Sequence, residues 1–183
     1  DTALENINLD VDFAGNTVLL RNVSTKLGKG TLSAEGSYAL QTTEKDAYKL
    51  HIKADNAELA SQIFTGRFNS EIEIVPQKYR DRKKAKGNVP PPVEYRPLIK
   101  GQLKLDDVVV NMPTVPEIGE GESNFGLDMK VELGKKIHLY NSYLYDIWLN
   151  GAIHIKGSTL FPIVDGTIKA DKGTISYLRT DFK

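Results

Sequence analysis

The sequence predicts an all-β protein, and two observations carry that prediction. Apolar and polar residues alternate strictly through Phe125-Gly126-Leu127-Asp128-Met129-Lys130-Val131-Glu132-Leu133, and again at Ile7 to Phe13, Tyr48 to Ala54 and Leu149 to Ile155. Glycine- and asparagine-bearing turn signals separate these stretches from one end of the chain to the other. A period of two places every second side chain on the same face of a strand, so each strand has one oily face and one wet face. Consecutive strands joined by short turns imply an antiparallel meander.

Residues 1 to 75 divide into strands at Ile7–Phe13, Val18–Val23, Thr31–Leu40, Tyr48–Ala54 and Arg67–Val75. Ala14-Gly15-Asn16, Gly28-Lys29-Gly30 and Thr42 to Asp46 are the turns between them. Asn56 to Phe64 also suits a short helix, with Asn56 as N-cap and Leu59/Ile63 and Ala60/Phe64 stacked four apart. The flanking strand pattern favours extended chain.

Residues 76 to 97 interrupt the pattern. Pro76, Pro90, Pro91, Pro92 and Pro97 cluster with Lys78, Arg80, Arg82, Lys83, Lys84 and Lys86. Proline removes ladder donors and fixes φ, so the segment is expected to be a flexible basic loop outside the sheet interior. Its functional reading is a patch for anionic headgroups, and its plain reading is a solvated insertion. Strand character resumes over residues 98–112. Residues 113–124, with Glu117, Glu120, Glu122, Gly119 and Gly121, read as an acidic flexible loop.

Residues 125 to 183 are the most regular part, with strands at Phe125–Leu133, Ile137–Tyr140, Leu144–Leu149, Ala152–Lys156, Gly166–Ala170 and Thr174–Leu178. The expected reversals are Gly134-Lys135, Asn150-Gly151, Gly157-Ser158 and Asp171-Lys172-Gly173. Gly151 also suits a strand that continues across a bulge.

Composition narrows the function classes. The 183 residues carry no net charge and a pI near 7, so nothing draws the chain as a whole to nucleic acid or an anionic membrane. There is no cysteine, which removes disulfides and thiolate metal sites. No run of about 18 apolar residues is long enough to span a bilayer as a helix. The chain starts at Asp1 without a signal segment, the pattern of an excised or processed piece.

His51, His138 and His154 each sit between apolar neighbours, so alternation sends all three imidazoles to the wet face, without carboxylates at ligand spacing. No serine occupies a nucleophile elbow, and Gly119-Glu120-Gly121 lacks the strand-to-helix context of a phosphate loop. Asp10/Asp12 and Asp106-Asp107 read as solubilising carboxylates. The expectation is a protein that is not an enzyme and takes no metal or cofactor.

Aromatic residues make up 8% of the chain and Trp148 is the single tryptophan, so the oily faces are aliphatic. An aliphatic sandwich core is the plain explanation.

The last sixty residues support a second explanation. Ile137-His138-Leu139, Leu144 to Leu149, Asn150 to Gly157, Pro162 to Ile168 and Lys172 to Leu178, closing on Phe182, resemble the TamB translocation and assembly module family. The shared order is a strand, G-x-hydrophobic-x-hydrophobic-x-G, a proline, hydrophobic-x-G-x-hydrophobic, then G-x-hydrophobic-x-Tyr and a Phe. An earlier echo runs from Pro97 to Asp107 and on to Pro113.

The resemblance covers roughly residues 97 to 183. It implies an AsmA-like, bridge-like lipid carrier with an antiparallel sheet curled into an elongated open trough, a β-taco, with an apolar interior. It implies a periplasmic location with the full-length protein anchored in the inner membrane. It also implies transport of phospholipid towards the outer membrane, and an Omp85-type outer-membrane partner that cannot be assigned to this segment.

Leu127, Met129, Val131, Ile137, Leu139, Leu149, Ile153, Ile155, Ile168, Ala170, Ile175 and Tyr177 are the expected lining, against phospholipid acyl chains. Asp128, Lys130, Glu132, His138, His154, Lys156 and Lys169 are the expected wet neighbours. End strands of such a sheet invite edge-strand self-association. The alternative reading is a structural or adhesive β-module of an exported protein with a filled core.

Overall fold

The strands predicted from alternation appear in a computed structural model as one sheet of ten, ordered β1 to β10 as in the chain. The structure describes residues 3–41, 47–61, 63–80, 92–111, 124–141, 144–177 and 180–182. The strands are β1 (Leu4–Ala14), β2 (Thr17–Leu27), β3 (Gly30–Ala39), β4 (Tyr48–Ala60) and β5 (Phe64–Arg80). They continue as β6 (Val93–Asn111), β7 (Gly126–Asn141), β8 (Tyr145–Ser158), β9 (Pro162–Tyr177) and β10 (Thr180–Phe182). The sheet is not closed into a barrel, and no helix occurs among the described residues.

Every neighbouring pair is antiparallel except β6 and β7, which run parallel from Leu98↔Gly126 to Asn111↔Tyr140. The sheet is thus the expected antiparallel meander but for this one pair. A parallel pair needs a crossover of a dozen or more residues, because the chain must return along the full length of the strand it has just made. The acidic, glycine-rich stretch between Asn111 and Gly126 is that connection. Residues 112–123, most of the expected acidic loop, lie outside the described residues.

Several expected reversals are bulges inside long strands. Gly134-Lys135 falls within β7, where register slips between Leu133 and Ile137 and Lys136 takes φ 58°. Asp171-Lys172-Gly173 falls within β9, beside a slip at Trp148/Leu149. Asn150-Gly151 lies mid-strand, with Gly151 paired to both Leu133 and Ile168. One left-handed residue adds an extra step to a strand and bends it, whereas a two-residue hairpin needs both central residues to reverse the chain.

The expected basic loop is narrower than residues 76–97, because β5 continues to Arg80 and β6 begins at Val93. Pro76 faces Pro97. β4 pairs with β5 only as far as Ile74, and β7 meets β6 only from Leu98, so among the described residues no strand pairs the other flank of either proline. Strand edges tolerate proline for that reason. Residues 81–91 and the expected turn at 42–46 lie outside the described residues. The stretch from Asn56 stays extended through Ala60 rather than helical.

Bulges line up across the sheet. Slips at Ala54/Ala57, Thr65/Arg67, Leu105/Val109, Leu133/Ile137 and Trp148/Leu149 fall on adjacent strands from β4 to β9 at one height. Asn56 (φ 47°), Asp107 (φ 51°) and Lys136 (φ 58°) are the left-handed residues along this seam. Asn and Asp tolerate that region better than most residues. Ala54, Ala57, Val108 and Ile137, among the best-buried apolar side chains, also lie along it. Leu27, Ala54 and Ala57 form a small cluster with Leu32 and Phe68.

β2 and β4 are separated by β3, yet bring Cα atoms within 8 Å of each other. Second neighbours in a flat sheet stand about 9.5 Å apart, so the sheet bends at this place.

Candidate functional site: the two faces of the sheet

Partners in register share a face, so the two sides of the sheet can be followed strand by strand. Met129 pairs Ile155, which pairs Val164; Val131 pairs Ile153; Leu139 pairs Ile147. Beyond the β7 bulge, Ile137 joins the same face through Leu149, which pairs Ala170. Gly151 carries the face to Ile168, and Tyr145 to Ile175 past the β9 bulge. Eleven of the twelve expected lining positions therefore occupy one side by strand parity, Leu127 included.

Their cover differs. Ile137 is buried; Leu127, Met129, Val131, Leu139, Leu149, Ile153 and Ile155 are half-buried; Ile168, Ala170 and Ile175 are exposed. Tyr177 lies in β9, with its side chain outside those described.

The same face extends across the first six strands, which sequence reasoning left unassigned. Leu103 and Ile99 meet Val131 and Leu127 across the parallel pair, and Ile74 and Phe68 meet Ile99 and Leu105. From there the face runs through Leu50 and Ile52 of β4, Ala34 of β3 and Val23 of β2 to Leu9 of β1. The signal was present in the alternation of Ile7–Phe13 and Tyr48–Ala54. The pairing partners were not, and without them no common face can be drawn.

The opposite face is charged and cross-linked. His51 of β4 lies 3.6 Å from Glu35 of β3 and 3.4 Å from Glu71 of β5. Glu73 sits between Lys49 and Lys100 at 3.5 and 3.3 Å, and Lys104 reaches Glu132 at 2.8 Å. His154 meets Asp128 at 2.5 Å and His138 meets Asp146 at 2.7 Å, while Arg21 pairs Asp12.

These partners set the acidities. The hydrogen bond from His154, against some desolvation, holds the Asp128 carboxyl below the usual carboxylate range. Desolvation pushes Glu73 up, but Lys100 and Lys49 together bring it below its ordinary value. Each of these pairs joins neighbouring strands, so the charged face holds the sheet in register. All seven expected wet positions lie on it by register.

At the seam this face carries a denser network. Arg67 donates to Asn56 Oδ1 at 3.1 Å and pairs Asp107, which Lys136 approaches at 3.4 Å. The Asn56 amide donates to Asn69 Oδ1 at 2.8 Å, and the Lys135 amide to Asp106 Oδ1 at 2.9 Å. Asp106 and Asp107, expected to be solubilising, instead fix the bulges.

Trp148 also faces this way. Its ring stacks on His138 at 4.4 Å with planes 4° apart, and Lys172 lies 4.9 Å from the ring centre. On this side His51 is paired with Glu71, and Glu73 with Lys100, along the wall of a cleft. The cleft, of about 440 Å³, lies among His51, Glu71, Glu73, Lys100, Asp128 and Lys130.

The fold and its faces define a single-layer, open, two-faced β-sheet. No family model matches the chain, and no curated protein or solved structure matches it.

Proposed function

We propose that this chain is a segment of a lipid-carrying trough, in which phospholipid acyl chains lie along the apolar face. One observation carries the reading: apolar side chains from β1 to β9 fall on one side of a single sheet, and no second layer covers them among the described residues. The Leu27, Ala54 and Ala57 cluster lies on the apolar side where β2 comes close to β4, which supports a sheet curled towards that side.

The face is aliphatic and continuous, which suits flexible chains that must slide without being held in a shaped pocket. Burial is worth about 0.8 kcal/mol per methylene, so a sixteen-carbon chain gains on the order of 10 kcal/mol if fully covered. An open face covers only part of it, which keeps exchange fast. A structural module with a filled core needs a second apolar layer, and the described residues supply none.

The TamB-like order of motifs gives the setting. The full-length protein would lie in the periplasm, anchored in the inner membrane, and carry phospholipid towards an outer-membrane Omp85-type partner.

Titration with a fluorescent phospholipid tests the proposal. Binding to the wild-type chain, lost in Met129→Asp/Ile153→Asp and kept in Lys130→Asp, is the expected result. Equal binding by all three folded proteins would overturn it.

A further inference from the structure

The apolar side of β5 and β6 differs in charge between its two ends. Along β5, parity leads from Phe68, Ile72 and Ile74 to Pro76, Lys78 and Arg80. Register sets Tyr95 of β6 opposite Lys78, and Val93 opposite Arg80. Among the described residues, Lys78 and Arg80 are the only charged side chains that parity places on this side of either strand. At the far end of the same pair, the apolar side finishes on Phe64 and Val110.

Lys78 and Arg80 are exposed, and neither pairs with a carboxylate among the described residues. Their neighbours on the opposite side are engaged. Tyr79 donates to Glu94 Oε2 at 2.9 Å, and Arg96 donates to Gln77 Oε1 at 3.0 Å and to Asn124 Oδ1 at 2.7 Å while lying over the Tyr79 ring. The connection between the two strands is basic in sequence, with Arg82, Lys83, Lys84 and Lys86 against Asp81.

Tyrosines mark the same end of the apolar face. Tyr48 of β4 pairs Tyr38 of β3 and stands two residues before Leu50, so both rings lie on the apolar side, as Tyr95 does. Rings with an oily body and a polar tip, next to lysine and arginine, suit a boundary between hydrocarbon and water.

We infer that Lys78 and Arg80 hold the phosphate of an anionic phospholipid whose acyl chains lie on the apolar face. The subsite rests on the lipid reading and extends it from the chains to the headgroup. Ile74 and Ile99, paired to each other, are the nearest aliphatic contacts for the chains. The guanidinium of Arg80 can take two phosphate oxygens, and the ammonium of Lys78 adds a third charged donor. The headgroup sits at the end where the oily face becomes basic, and the chains extend over the uncharged remainder.

Titration of the full chain with phosphatidylglycerol and with diacylglycerol, both carrying the same fluorescent acyl chain, tests it. Wild type is expected to bind phosphatidylglycerol about tenfold or more tightly than diacylglycerol. Lys78→Glu/Arg80→Glu should abolish that preference and leave diacylglycerol binding as in wild type. Lys130→Glu/Lys156→Glu, an equal charge change on the opposite face, should keep it. Far-UV circular dichroism checks the sheet, and Lys78→Gln/Arg80→Gln, which removes the charges without reversing them, should also lose the preference. Equal binding of the two lipids by wild type, or a preference that survives at folded Lys78/Arg80 variants, overturns the subsite and leaves the lipid reading standing. Glycerol phosphate that competes as well as the phospholipid would mark a soluble-anion site and overturn it too. Binding of neither lipid overturns both readings.

Discussion

The apolar face behaves differently at its centre and at its edges, although the same residue types line both. At the seam Val108 and Ile137 are 0% and 4% exposed, while Leu9 and Phe13 on β1 reach 67% and 76%, and Ile168 on β9 reaches 48%. No second sheet lies over the centre among the described residues. What covers its side chains is the neighbouring strands and the bulges that bend them together. Burial here follows from strand neighbours and curvature, and the edges lack both. Among the described residues the centre therefore holds the fold.

The largest expected effect separates the two regions directly. Ile137→Ala should lower stability by about 2–4 kcal/mol, whereas Leu9→Ala should change it by less than about 0.5 kcal/mol. Urea unfolding measures both. Equal losses at the two positions would mean that the edges are covered as well as the centre. Gly66→Val should be at least as damaging as Ile137→Ala, because a Cβ at Gly66 would stand 2.5 Å from Val108 Cγ2.

The next effect tests whether the seam owes its geometry to the charged side. Arg67→Ala leaves Asn56 and Asp107 without their shared partner and should cost about 1–2 kcal/mol, the lower figure reflecting its partial exposure. Arg67→Lys keeps the charge but loses the fork that reaches both residues, and should recover less than half of the loss. Full recovery with lysine would reduce the network to simple charge attraction.

Trp148→Ala removes the stack on His138 and the contact with Lys172, for an expected loss of about 1 kcal/mol. Trp148→Phe should restore part of it.

The smallest effect depends on pH. Asp128 titrates below its ordinary range in the folded chain, so the unfolded state binds its proton first as pH falls. The stabilisation is complete above the ordinary carboxylate range and is lost as pH falls through the depressed folded value. His154→Gln should flatten this acid limb of the stability–pH profile, below the ordinary carboxylate range. An unchanged acid limb would show that the Asp128–His154 pair does not hold β7 to β8.

Much of the face was legible in the sequence because a period of two survives in long strands. Leu127 to Val131 and Ile153 to Ile155 follow from alternation alone. Ile168 and Ala170 share a side with Ile175 because Asp171 to Gly173 changes the parity, which a turn and a bulge do alike. The same signal misled about chain direction. Glycine and lysine at Gly134-Lys135 suit a reversal, and nothing local tells a reversal from a bulge whose left-handed residue is Lys136. The parallel pair was hidden too, since a fourteen-residue connection serves a hairpin or a crossover. The seam network was illegible because Arg67, Asn56 and Asp107 are distant in the chain and meet only once β4, β5 and β6 are in register.

We propose that lipid, and not protein, covers the apolar face. Site-specific photocrosslinking in cells tests it most directly, with the probe at Met129 and the control at Lys130, one residue apart on opposite faces. Lipid adducts at Met129 and none at Lys130 are the predicted result. Protein-only adducts at Met129, or none, with the fold intact, would contradict it.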